Sequence, residues 1–350
     1  MRMGIPSTSA TPRERDLLEA ARAGDQNAFG RLIEPHRREL QAHCYRMLGS
    51  SHDAEDALQD TTLRAWRGLG RLERRGSLRP WLYTIATNVC LDAIARRPKR
   101  VLPMDYGPPA GPESEEGEEP LPESLWVEPF PDEKLGLEDG YASPEARYEV
   151  RESVELAFIA ALQHLPARQR AALILRDVLG FSAREVAGSL ETTVASVNSA
   201  LQRARKTVEQ RLPARSQQAT MRSLGDERIR DLVERFTDAF ESGDIDAILA
   251  LLAEDATFAM PPHATWCRGR DAIAESWLMP SQRPTGLRYV PTRANGQLAL
   301  GTYRLDPQTG TYLPIALDVL TLRGAQITDV IAFRAAGVLR SIGLPDEFPA

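Results

Sequence analysis

The residues 193–205, TVASVNSALQRAR, set small polar side chains and cations on one arc of a helix. Val194, Val197, Leu201, Ala204 and Val208 share one face at three-four spacing, which predicts a packed side. The other arc carries Ala195, Ser196, Ser199, Gln202, Arg203 and Lys206, with Asn198 on its flank. Such a set suits a helix seated in a duplex major groove. Amide and hydroxyl groups meet base edges, cations hold phosphates, and small residues permit close approach. Upstream, Ser182 with Glu185 forms a capping box for a short first helix, and Thr192 or Thr193 caps the second. An ordinary amphipathic hairpin is the competing reading of this pattern.

A second group lies in RRGSLRPWLYTIATNVCLDAIARR, residues 74–97. Leu82, Ile85, Ala86, Val89 and Ala93 form an apolar stripe, whereas Tyr83, Thr84, Thr87, Asn88, Asp92 and Arg96 are expected to face outward. Aromatic rings beside cations can stack on unpaired bases while holding the backbone; Trp81 and Tyr83 can equally be core anchors. A third group, residues 51–66, carries Asp53, Asp56, Gln59 and Asp60 on one face inside a basic block. Carboxylates gain nothing near phosphate, so this stripe predicts either a basic protein partner or plain solvation.

The elements that position these groups read as helices over residues 17–23, 26–48, 54–68 and 80–97, then 143–165, 167–179, 182–190 and 193–212. Asp25 and Asp53 are N-cap candidates, Gly49 and Gly180 are stops, and Pro80 suits a first turn. Between the two helical blocks, residues 101–142 are dense in Pro, Gly and Glu without sustained period, which predicts a mostly extended linker. Its apolar islands Leu125, Trp126, Val127, Phe130 and Leu135 offer a second reading, docking on another surface. Beyond Arg215, helices at 228–242, 245–253 and 270–278 precede strand-like runs at 256–260, 287–292, 297–305, 313–323 and 326–334, an α+β pattern.

Charge follows the same division. Residues 1–100 carry a net +6, residues 101–150 −12, residues 151–215 +4 and residues 216–350 −4. Two basic blocks around an acidic one read as two DNA-facing modules joined by a segment that avoids DNA. At 350 residues with 42% hydrophobic content the chain suggests two or three domains. No run approaches the ~18 apolar residues of a membrane helix, and no apolar signal core opens the chain. The three scattered cysteines argue for a reducing compartment, the cytoplasm, and against a disulfide framework. His36, His43 and Cys44 share a helix but lack further ligands, so no metal and no cofactor is expected.

The motifs DAEDALQDTTLRAW, RPWLYTIATNVCLDAIARR and LPARQRAALILRDVLGFSAREVAGSLETTVASVNSALQRAR, in that order, resemble successive regions of extracytoplasmic-function (ECF) sigma factors. These are promoter-specificity subunits of bacterial RNA polymerase. The resemblance implies an alternative sigma factor that is not an enzyme. It would bind the clamp and flap regions of core polymerase, direct it to promoters and assist melting. It implies that Asp56, Gln59 and Asp60 bind the clamp. Arg75, Arg79, Trp81, Tyr83, Asn88 and Arg96 would take the minus-ten element, whose strand is melted. Ser196, Asn198, Ser199, Gln202, Arg203 and Lys206 would read the minus-thirty-five element as duplex. The division expected is sigma domain two at 13–100, an acidic linker at 101–142, sigma domain four with its helix-turn-helix at 143–213, and a last domain at 226–343. Where many relatives carry a basic pair around the recognition-helix serine, this chain has Asn198-Ser199-Ala200. A stand-alone helix-turn-helix regulator is the alternative.

The last block resembles SnoaL-like domains, α+β cones formed by a curved sheet and helices, on FTDAFESGDIDAILALLAEDATFAMPP, WCRGRDAI, NGQLALGTYR and ITDVIAFR. Some such cones are isomerases or cyclases, and His263, Tyr289, Tyr303 and Asp318 are the candidates to line one here. The favoured expectation is instead that the cone contacts the sigma domains or the linker and modulates their activity.

Overall fold

Asp25 accepts from the Asn27 and Ala28 amides at 2.8 and 3.1 Å and so starts α2 (Gln26–Leu48), which Gly49 ends in the left-handed region at φ 69°. A Cβ at Gly49 would lie 3.0 Å from the Gln163 side chain, so glycine serves both the turn and the packing. The computed structural model describes residues 12–72, 77–110, 119–135, 149–278, 286–335 and 337–349. They fall into two compact units, one of residues 1–99 with 134–212, the other of residues 100–133 with 213–350.

The first unit is helical. It contains α1 (Pro12–Arg22), α2, α3 (Ser51–Gly68) and α4 (Leu78–Ile94), then α6 (Leu156–Gln163), α7 (Ala167–Leu173), α8 (Ala183–Ser189) and α9 (Val194–Glu209). The long helix expected over 143–165 is broken before Leu156, at Val154 and Glu155, and α7 continues as a π-helical turn at Ile174–Val178. α2 packs on α3 and α4, and α6 and α7 pack on α2, so the two helical blocks share one interior.

In the second unit α10 (Gln217–Leu224), α11 (Asp226–Ser242), α12 (Ile245–Leu251) and α13 (Arg270–Leu278) cover one face of a seven-stranded sheet. Its strands are β1 (Leu252–Ala259), β2 (Trp266–Arg268), β3 (Leu287–Ala294), β4 (Gln297–Asp306), β5 (Thr311–Arg323), β6 (Gln326–Phe333) and β7 (Phe348–Pro349). The order is β2-β1-β6-β5-β4-β3, with β7 on β5. The parallel β1–β6 pair departs from the antiparallel run expected. Phe236, Phe240, Ile248, Leu300, Leu320 and Val330 form the core between helices and sheet. On the other face, Gly301 lies where a Cβ would sit 2.3 Å from the Leu344 side chain, so the segment after α14 (Val338–Ser341) can press onto β4.

The acidic segment does not run free over its described part. Residues 100–110 and 119–133 belong to the second unit, with a helical turn α5 at Pro103–Tyr106. Trp126, Val127 and Phe130 are buried, whereas Leu125 is half-buried and Leu135 is buried in the first unit. Extended backbone without internal period is compatible with docking, because partners supply its hydrogen bonds.

Candidate nucleic-acid interface

Thr193 caps α9, its Oγ1 accepting from the Ser196 amide at 3.1 Å. The capping box at α8 is complete, Glu185 accepting from the Ser182 amide at 2.8 Å and Ser182 from the Glu185 amide at 3.2 Å. Val197, Leu201, Ala204 and Val208 are buried against α7 and α8, so Ser196, Asn198, Ser199, Gln202, Arg203 and Lys206 are all exposed along one arc. Val194, expected in the packed stripe, is 42% exposed, because the helix begins there, one turn short of its supports. Arg205 is held by Asp177 through two bonds of 2.7 and 2.8 Å and braces α9 on the π-helical turn. The arc borders a groove of about 620 Å³ that also includes Arg176. Sequence reasoning passed over Arg176; its place in an apolar run, LILRDV, was the available signal. Its guanidinium donates to the Phe181 carbonyl at 3.2 Å.

On α4 the six expected residues are not brought together. Asn88 and Arg96 are exposed, Trp81 and Arg79 are half-buried, and Arg75 lies outside the described residues. Tyr83, expected to face outward, is 1% exposed. Its hydroxyl donates to Glu39 at 3.1 Å, and its ring meets His43 and Phe181 edge-on, each at 5.2 Å. Burial, aided by Glu39, pushes its pKa well up. Arg79 lies over the Tyr83 and Phe181 rings at 5.1 and 4.9 Å and donates to Glu39 at 3.3 Å. Thr87, also expected outside, is buried and bonded to His43 Nε2 at 3.0 Å. Burial, then the neighbouring Arg46 and Arg79 charges, lower His43 to about 3, so the ring is neutral. The cause of both corrections is tertiary, since α2 and Phe181 cover that side of α4.

On α3, Asp56, Gln59 and Asp60 are exposed as one acidic edge, continued by Leu63 at 51% exposure. Asp53 is not part of this edge. Ser50 is the N-cap, accepting from the Asp53 amide at 3.0 Å, and Asp53 is buried against Arg97.

In the second unit, Thr302 Oγ1 donates to Asp318 Oδ2 at 2.9 Å, and Tyr289 pairs across from Thr302 on the core face of the sheet. Burial raises Asp318 to about 7, and its Oδ1 has no partner among the described residues. Tyr303 does not join them. It lies on the opposite sheet face and donates to the Pro345 carbonyl at 2.8 Å. His263 follows the Pro261-Pro262 turn and is half-buried. The acidic segment has its own seat in this unit. Phe130 N–H donates to Asn295 Oδ1 at 2.8 Å, and Asn295 N–H returns a bond to the Phe130 carbonyl at 2.9 Å. The Gly296 amide donates to Asp132 at 2.7 Å, and Trp126 Nε1 donates to the Pro262 carbonyl at 3.1 Å. Arg100, buried, bonds the Trp126 carbonyl at 2.5 Å and Glu128 at 3.1 Å. Among the described residues no group of three His, Cys, Asp or Glu could hold a metal, and no helix is long and apolar enough to cross a membrane.

Residues 32–100 match the Sigma-70 region 2 family, residues 155–208 the Sigma-70 region 4 family, and residues 233–330 the SnoaL-like domain. The ECF RNA polymerase sigma factor SigG of Mycobacterium tuberculosis is 41% identical over 328 residues, covering 93% of this chain and 85% of SigG. SigM of the same organism is 31% identical over 192 residues, covering 55% of this chain and 81% of SigM. Among solved structures, the M. tuberculosis ECF sigma factor SigJ is similar in fold, with a TM-score of 0.57 at 22% identity, covering 89% of this chain and 99% of that one.

Proposed function

This chain belongs to the ECF sigma factors, promoter-specificity subunits that bind core RNA polymerase, and carries a SnoaL-like C-terminal extension; on that premise we propose which of its surfaces meets which partner. The exposed arc of α9 reads the minus-thirty-five duplex, with Asn198, Ser199 and Gln202 at base edges and Arg203, Lys206 and Arg176 toward phosphates and purines. The acidic edge of α3, Asp56, Gln59 and Asp60 with Leu63, meets the polymerase clamp. α4, through Arg79, Tyr83, Asn88 and Arg96, takes the melted minus-ten strand, joined by Arg75 and Trp81. Functionally the chain divides at 13–100, 101–142, 143–213 and 226–343, and it works in the cytoplasm.

The cone acts as a docking and modulating module rather than as an enzyme. What supports this is its hold on residues 100–133, the segment joining the two DNA-facing blocks.

The observation that carries the reading is the undivided exposure of the α9 arc, with its one ion-paired cation, Arg205, turned away to Asp177. The experiment is run-off transcription with purified core enzyme. Arg203→Ala is expected to lower initiation by about 1–3 kcal/mol of binding at promoters that need the upstream element, when it reads a guanine. Equal loss at unrelated promoters makes it a backbone contact. Failure of the intact protein to start transcription at any promoter removes the proposal.

A further inference from the structure

Within the first unit, region 4 lies on the face of α4 that carries the stacking groups. Phe181 stands edge-on to Tyr83 at 65°, and Arg79 is held between the two rings. Thr84 Oγ1 and Ser189 Oγ, on α4 and α8, are 2.7 Å apart. On the same interface, Arg46 of α2 donates to Ser153 Oγ at 2.7 Å and to the Ser153 carbonyl at 3.2 Å. Arg170 of α7 donates to the Met47 carbonyl, and to Gln163 Oε1 at 2.5 Å.

We propose that these contacts form an internal latch, with region 4 occupying the strand-capturing face of region 2 in the free factor, so that the unit must open before a melted strand can enter. A ring and a guanidinium against Tyr83 are the partners that an unpaired base and its neighbours would otherwise replace. The latch therefore competes directly with DNA at Tyr83 and Arg79. Its chemistry suits release. Arg46 and Arg170 are almost fully buried, and the acceptors above are neutral carbonyl, amide and hydroxyl oxygens. Desolvated cations without matched counter-charge hold an interface less tightly than apolar packing of the same volume, and opening rehydrates them. The element names place the two sites some twenty-five base pairs apart. At ~3.4 Å per pair that is far more than a hydrogen-bonded α4–α8 contact spans, so closure and simultaneous reading exclude each other.

The inference rests on the reading of α4 as the strand-capturing helix, and the test separates the two. In a Cys267→Ser background, Thr84→Cys with Ser189→Cys places two thiols where the hydroxyls now touch. The intact protein is oxidised with diamide, then assayed with core polymerase on duplex promoter before and after dithiothreitol. Oxidation is expected to cut initiation by at least about tenfold, because apparent affinity scales with the open fraction, and reduction to restore the rate of the reduced variant. Thr84→Cys alone should show no such difference. Ser189→Tyr, which wedges the contact from the α8 side, should raise the free factor's affinity for single-stranded minus-ten DNA. A cross-linked protein that initiates as its reduced form does overturns the latch, as does Ser189→Tyr leaving strand affinity unchanged. Asn88→Ala on a pre-melted bubble template, with the unit uncrosslinked, reads α4 by itself. If it has no effect there while the disulfide still blocks initiation, the α4 assignment fails and the closure stands.

Discussion

Phe130 is fully buried, and its backbone exchanges two hydrogen bonds with Asn295, so removing its ring should free the acidic segment from the cone. A buried Phe→Ala change costs ~3–5 kcal/mol where the site cannot collapse. Taking about 3 kcal/mol, and tenfold for each ~1.4 kcal/mol, the undocked population rises on the order of a hundredfold. Asn295→Ala should act on the same equilibrium by another route. It leaves the Phe130 amide without its carboxamide partner, at about 1–3 kcal/mol, and forces alanine into a left-handed conformation at φ 55°, at roughly 1–2 kcal/mol more. Asn295→Gly keeps the first loss and removes the second, so the difference between the two variants isolates the backbone. The assay is limited Glu-C proteolysis of the intact protein, following cleavage after Glu128 by mass. When opening is fast relative to cleavage, the rate tracks the open population. Cleavage after Glu128 at the wild-type rate in Phe130→Ala refutes the docking argument. A parallel rise at every other site shows global unfolding instead.

Two further outcomes are expected. Asp60→Arg should weaken assembly with core enzyme in a pull-down, because a clamp cation would then face a like charge, while Leu63→Ser should weaken it without altering the salt dependence. Asp318, raised to about 7 by burial, binds a proton more tightly folded than unfolded, so its contribution is full below the ordinary carboxylate pKa and is lost as pH rises toward 7. Urea unfolding of the intact protein should therefore lose roughly 4 kcal/mol from this group between about pH 4 and 7, at ~1.4 kcal/mol per pH unit, and Asp318→Asn should abolish that component.

The recognition helix was legible because its information is local. Capping by Thr193, the Ser182–Glu185 box and the three-four stripe from Val197 to Val208 are all encoded within neighbouring turns. The α4 face was not, because what covers Tyr83 comes from Glu39 and from Phe181, nearly a hundred residues further on. Asp53 shows the same limit at short range. Ser50 and Asp53 are both good caps, and only the position of Arg97 decides that the serine caps and the carboxylate is buried. In the last unit the strands were readable from composition, but the β1–β6 pairing depends on chain return across more than sixty residues. Tyr303 was misplaced for a simpler reason. Adjacent strand residues point to opposite faces, so its neighbour Thr302, and not Tyr303, reaches Asp318.

Charge explains the division of the chain but not the seat of its acidic segment. Residues 101–150 carry −12 and residues 216–350 carry −4, so bulk electrostatics oppose the contact that the structure makes. What holds it must be apolar burial at Trp126, Val127 and Phe130, together with directed bonds from Asn295, Gly296 and Arg100. Arg100 and Glu128 are the one charged pair among these bonds, and burial shields it from screening. Added salt should then leave the docked segment in place or tighten it, since screening relieves the like-charge term and leaves the apolar term intact. Deuterium uptake by the backbone amides of residues 119–133 reads this directly. Uptake that accelerates steeply with ionic strength would mean that charge attraction holds the segment, and that Phe130 and Trp126 are passengers in an electrostatic contact.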